Sequence, residues 1–215
     1  MPRVNSNQPF DPLSQNGGGG YYRQIFKTGS VGATLAAGAI IAAMQWKPAA
    51  ETSPGGRSWR FELKYFRCYA LTVVAFAAAQ LVDCYLFKCR GFTGADTGGN
   101  QVIPATLDQK IQNRYADSKF VGGGDIRIAS TAALSAGTRT PEAQAQLTCC
   151  SFWSSAIGIA SPEPRVTYFD EHNIPLTFES GEGFEIQNGT AFGGTGKVQF
   201  FFDMAWMETP EPAAW

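Results

Sequence analysis

Charge is scarce in this 215-residue sequence. Asp, Glu, Lys and Arg make up 16% of it, against about 25% in an ordinary soluble domain. A surface so poor in charge is not wholly given to free solvent. The little charge present nearly cancels, and a net charge of −1 lacks the basic excess that nucleic-acid binding requires. Long apolar runs are missing too. VGATLAAGAIIAAM, residues 31–44, falls short of the roughly 20 residues that span a bilayer, and YALTVVAFAAAQLV is interrupted by Gln80. The opening MPRVNSNQPFDPLSQ has no basic region leading into an apolar one, so no signal peptide is expected. These absences argue against a membrane protein.

Histidine occurs once, as His172, and the five cysteines are an odd number. Cys84 and Cys89 would point to opposite faces of a continuous strand, and a bond between the adjacent Cys149 and Cys150 would be strained. Free thiols, as in a reducing cytoplasm, are the expected state. No C-x-x-C pair is present, and one histidine does not complete a zinc set. No tandem repeat is evident.

What is abundant is glycine, 24 residues, and alternation. In GKVQFFFDMAWME, Val198, Phe200, Phe202, Met204 and Trp206 share one face of an extended strand, because successive side chains alternate. The other face carries Gln199, Phe201, Asp203, Ala205 and Met207, and solvent would not favour Phe201 or Met207 there. Trp59, Phe61, Leu63 and Tyr65 alternate with Arg60, Glu62 and Lys64 in the same way. YYRQIF, MQWK, QLVDCYLFKCRGF, GGGDIRIAS, AQLTCCSFW, RVTYFDEHNIPLTFE and GEGFEIQ add further strand signals.

About eight to ten short strands, punctuated by Gly, Pro and Asn, predict an all-β, antiparallel, jelly-roll-like β-sandwich. TLDQKIQNRYADSK, with Leu107, Ile111 and Tyr115 four apart, is the best short helix. TAALSAGTRTPEAQAQ is weakly helical at most. The expected organisation is an extended Gly-rich N-terminal arm over 1–20, ending in Gly17 to Gly20, and a β-sandwich domain over 21–215. Gly181 and Gly183 flank Glu182 at a strand entry, where φ > 0 or close backbone approach is usual. Gly193, Gly194 and Gly196 are expected to turn a hairpin into the last strand.

Candidate sites are few. Asp96-Thr97-Gly98 is the tripeptide of aspartic proteases, whose paired aspartates activate water, but it occurs once and lacks a preceding apolar strand. It reads better as a glycine-rich turn. His172 sits in a turn-like Asp170-Glu171-His172-Asn173, with no marked Ser or Cys partner. Asp83, Asp96, Asp125 and either Glu179 or Glu182 could offer oxygens to calcium, without a specifying spacing. GGTGK is followed by Val198 and so fails as a phosphate loop. Exposed aromatics could stack on sugars, although tryptophans in a sandwich mostly serve cores and interfaces. No catalytic residue, metal or cofactor is expected.

Two stretches carry a resemblance. DIRIASTAALSAGTRTPEAQ, residues 125–144, and PLTFESGEGFEIQNGTAFGGTGKVQFFFDMAWME, residues 175–208, resemble a loosely defined group of tailed-bacteriophage virion proteins. RCYALTVVAFAAAQ and FTGADTGG resemble it more weakly. The resemblance implies a non-enzymatic structural role: capsid decoration or cementing, or joining head to tail. It implies a virion location after assembly in the host cytoplasm, and partners such as the major capsid protein. A homo-oligomer such as a trimer fits the charge deficit and the apolar second faces. The interface residues expected are Phe201 and Met207, from parity, and Tyr21, Tyr22 and Phe26, which follow the arm. The alternative is a receptor- or glycan-binding module of a tail fibre or spike.

Overall fold

Alternation and turn chemistry produce twelve strands in a computed structural model that describes residues 21–32, 35–48, 58–102, 125–153, 165–169 and 176–210. They are β1 (Tyr21–Lys27), β2 (Ile40–Trp46), β3 (Trp59–Val74), β4 (Leu81–Gly94), β5 (Asn100–Val102) and β6 (Asp125–Ile128) in the first half. The second half holds β7 (Thr138–Pro141), β8 (Leu147–Trp153), β9 (Arg165–Tyr168), β10 (Leu176–Phe178), β11 (Glu182–Asn188) and β12 (Lys197–Pro210). Among the described residues there is no helix. TAALSAGTRTPEAQAQ, expected to be weakly helical, is turns and β7, because Gly137 and Pro141 stop any helical run. The arm over 1–20, the TLDQKIQNRYADSK segment and His172 lie outside the described residues.

The strands form two antiparallel sheets. The first runs β1-β12-β3-β10, with β9 also on the outer edge of β3; the second runs β5-β6-β2-β11-β4-β7, with β8 also on β4. The pairings are nested: β1 with β12, β2 with β11, β3 with β10, β4 with β7 and β8. That is one long hairpin folded over itself so that its arms alternate between sheets, the jelly-roll arrangement. β6 and β5 extend the second sheet beyond β2.

The inner faces meet in a single main core. Val198, Phe200, Phe202, Met204 and Trp206 are all fully buried, as alternation predicts for β12. On β3 the inward set is Phe61, Leu63, Phe66, Cys68 and Ala70. Its parity jumps at Lys64, where the β12 ladder passes from Tyr65 to Leu63 across a bulge. Phe61 stacks on Trp206 at 5.4 Å and 15°. The buried indole of Trp46 donates to the Trp59 carbonyl at 2.9 Å, so its one polar atom is satisfied.

Two expectations change here. β11 and β12 are not a hairpin: β11 pairs with β2 and β4, and β12 with β1 and β3. The glycine-rich connection therefore crosses from one sheet to the other. Tyr22 and Phe26, expected at a subunit interface, face the core. They occupy the inward positions of β1, stack or tilt against Trp206 and Phe202, and are buried. Gly181 and Gly183 show both glycine roles. Gly181 has φ +85°, and a Cβ on Gly183 would meet the Met44 carbonyl oxygen at 1.9 Å.

Candidate functional site

The two outer faces differ in what covers them. On the second sheet the chain covers itself. Residues 129–134 extend the pairing along β2, with the Leu134 N–H donating to the Ile40 carbonyl and the Ala129 N–H to that of Ile41, both within 2.9 Å. Ile40, Ala43 and Leu134 form a small outer core. Beside it the Arg139 side chain, 2% exposed, lies between Asp96 and Glu185, themselves 2% and 3% exposed. Arg139 Nε donates to Glu185 at 2.5 Å and Nη1 to Asp96. Asp96 also accepts the Gly137 N–H at 2.6 Å, and Gln187 donates to Glu185. The guanidinium lies 5.1 Å from the Phe92 ring centre.

This places the Asp-Thr-Gly tripeptide. The Asp96 carboxylate is committed to an arginine and a backbone N–H, and Thr97 bridges to Ser135. A water-activating dyad needs two carboxylates sharing a proton; here Arg139 stands between the two. The group is a buried ion triad that fastens β7 and the 95–99 loop to β11. Asp96 was visible in the sequence, but Arg139 and Glu185 were not singled out. Their only signal was two charges in a chain with few of them.

The other candidate ion ligands are scattered. Asp83 accepts from Ser151 at 2.5 Å. Glu182 pairs with Lys88 at 2.8 Å and Arg90 at 3.3 Å and accepts the Glu179 N–H. Asp125 begins β6. Among the described residues no group of three potential metal ligands gathers. A half-open cleft of about 340 Å³ is lined by Gly32, Leu35 and residues 131–135, with no titratable side chain.

Among the described residues, the outer face of the first sheet is covered only by side chains laid across its strands. Phe201 lies between Lys27 of β1 and Tyr69 of β3 in register. Its ring stacks on Tyr69 at 4.7 Å and 1°, with the Lys27 ammonium 5.9 Å from the ring centre. Arg67 sits 5.5 Å over Tyr69. One row on, Arg23 grips Asp203 with two hydrogen bonds of 2.8 and 2.5 Å and lies 5.8 Å from the Tyr65 ring. The Tyr65 hydroxyl donates to Asp203 at 3.3 Å. Burial and then the Asp203 carboxylate push the Tyr65 phenol above its usual value.

Met207, half-buried, faces Glu62. Glu62 accepts from Lys64 at 2.8 Å, Arg60 at 3.1 Å and Thr209 at 3.0 Å. Burial alone would raise its pKa, but Lys64, Thr209 and Arg60 together hold it below the ordinary value. At the edge, Ile25 is 54% exposed, the most exposed of the large apolar side chains described. Among the described residues, Arg23, Lys27, Arg60, Lys64 and Arg67 outnumber the carboxylates of Asp203 and Glu62 on this face. Of the expected interface residues, Phe201 and Met207 lie here, half-buried. Tyr21 is on β1, facing Met207 in register.

No protein-family model matches the chain, and no curated protein sequence matches it either.

Proposed function

We propose that this is a non-enzymatic structural protein of a tailed-phage virion, which decorates or cements the capsid or joins head to tail. It acts by packing the outer face of the first sheet and the β1 edge against neighbouring subunits. The observation that carries the reading is the asymmetry between the two outer faces. On the second sheet Leu134 packs against Ile40 and Ala43, and a buried ion triad closes over Glu185. The first sheet leaves Phe201 and Met207 half-buried and Ile25 exposed, and assembly would bury them further. Nested jelly-roll pairing is an architecture of capsid domains, although lectins share it, so the fold alone does not decide.

The test is the solution mass of the whole chain and of Ile25→Glu, by size-exclusion chromatography with light scattering. A discrete oligomer that Ile25→Glu converts to a folded monomer supports the reading, as does loss of the oligomer on deleting residues 1–20. A monomer indifferent to both changes, with no binding to assembled capsids, removes it.

A receptor- or glycan-binding module is favoured by one feature of the same face: Tyr65, Tyr69 and Phe201 lie together beside Arg23, Lys27 and Arg67. That reading requires sugar binding that Tyr69→Ala abolishes while the mass of the particle stays unchanged.

A further inference from the structure

Cys68, Cys84, Cys149 and Cys150 all lie in the core between the sheets, each at most 1% exposed, and all are free thiols. They arrive there from three strands. Cys68 is an inward residue of β3 in the first sheet, opposite Phe202. Cys84 on β4 and Cys150 on β8 face each other directly in the second sheet. The ladder then slips, and Tyr85 pairs with Thr148, which leaves Cys149 as the extra residue of a β-bulge. That bulge explains how two adjacent cysteines can both be buried. Cys150 is thus the register partner of Cys84, and its strand packs against β3, which brings Cys68 into the same buried core.

We propose that Cys150 is the shared partner of one oxidation site, at which hydrogen peroxide forms a disulfide between Cys150 and either Cys68 or Cys84. The Cys150 sulfur attacks one peroxide oxygen as the O–O bond breaks, giving a sulfenic acid; the departing hydroxide takes the thiol proton and becomes water. The sulfur of Cys68 or Cys84 then attacks the Cys150 sulfur. The S–O bond breaks, and the second hydroxide leaves as water with the second proton. Two thiols lose two electrons and one peroxide is reduced to two waters.

The choice of Cys150 rests on position, since it is paired directly with Cys84 and sits on the strand that packs against β3, the strand of Cys68. Its chemistry agrees: hydrogen bonding from Cys68 and Cys84 pulls its thiol down, while burial pushes Cys68, Cys84 and Cys149 up. Peroxide is small enough to reach the site through local opening. The third thiol stays beside the new bond and can exchange with it. A Cys68–Cys150 bond would tie the two sheets together after folding.

The experiment treats the full folded chain with hydrogen peroxide, alkylates the remaining thiols in denaturant, and maps the peptides by mass spectrometry. The expected result is loss of two of the five alkylatable thiols, with Cys150 in every disulfide and Cys89 and Cys149 still alkylated. Cys149→Ala should behave as the parent does. Cys68→Ala should keep one disulfide, moved to Cys84, so the proposal does not depend on Cys150→Ala folding. A disulfide that lacks Cys150, five unreacted thiols, or sulfinic acid in place of a disulfide would each overturn it.

Discussion

Tyr69 and Phe201 stand ring against ring across β3 and β12, 4.7 Å apart and within 1° of parallel. A cross-strand aromatic pair on an outer face contributes by contact as well as by burial. A double-mutant cycle of Tyr69→Ala and Phe201→Ala should give a coupling of about 0.5–1.5 kcal/mol in urea unfolding. Strict additivity would mean that the rings rest on the sheet independently.

Removing Arg139 should cost far more than its surface position in sequence suggests. Arg139→Met leaves Asp96 and Glu185 buried without their cation, which is expected to cost about 3–5 kcal/mol of unfolding free energy. Arg139→Lys should not restore it, because one ammonium cannot present two divergent N–H groups to two carboxylates. A loss under about 1 kcal/mol in denaturant melts would show that the triad is solvated.

Acid should weaken the fold in part through Glu62. Its folded-state pKa is depressed below 4.5 by Lys64, Thr209 and Arg60, against the opposing effect of burial. The stability it contributes is therefore fully present above that ordinary value. It is lost as the pH falls through the lower folded-state value. Unfolding free energies measured from about pH 6 to about pH 3 should fall less steeply for Glu62→Gln than for the parent. Parallel slopes would remove Glu62 from the acid response.

Gly183 within β11 and Gly194 in the connection to β12 should respond differently to alanine. At Gly183 a Cβ would meet the Met44 carbonyl oxygen at 1.9 Å, a backbone atom of the paired strand, so Gly183→Ala should separate β11 from β2. At Gly194 nothing lies within 4 Å and φ is not in the left-handed region, so Gly194→Ala should be near neutral. Thermal melts and soluble yield distinguish the two.

Parity carried most of what the sequence revealed. The inward row of β12, from Val198 to Trp206, follows directly from alternation, and so does the opposite orientation of Cys84 and Cys89. Parity also held the answer for Tyr22 and Phe26, because Arg23 and Lys27 mark the other side of β1 as outward. The arm preceding them suggested an interface where alternation places core. The crossing between β11 and β12 was not legible, since a short glycine-rich link looks the same whether it closes a hairpin or bridges two sheets. Nor was the Asp96–Arg139–Glu185 group, whose members are far apart in sequence and meet only once both sheets are laid down.

The place of β12 in the first sheet bears on how the chain is made. β12 lies between β1 and β3, so the middle of that sheet is the last described strand to leave the ribosome. Until residues 197–210 emerge, β1 has no neighbour in its own sheet, and the inward rings of Tyr22, Phe26 and Phe61 have no Trp206 or Phe202 to meet. β1 waits on the final strand, and one edge of β3 stays open until it comes. Until β12 is made the nascent chain carries bare aromatic rows, and the first sheet can close only once that strand has emerged.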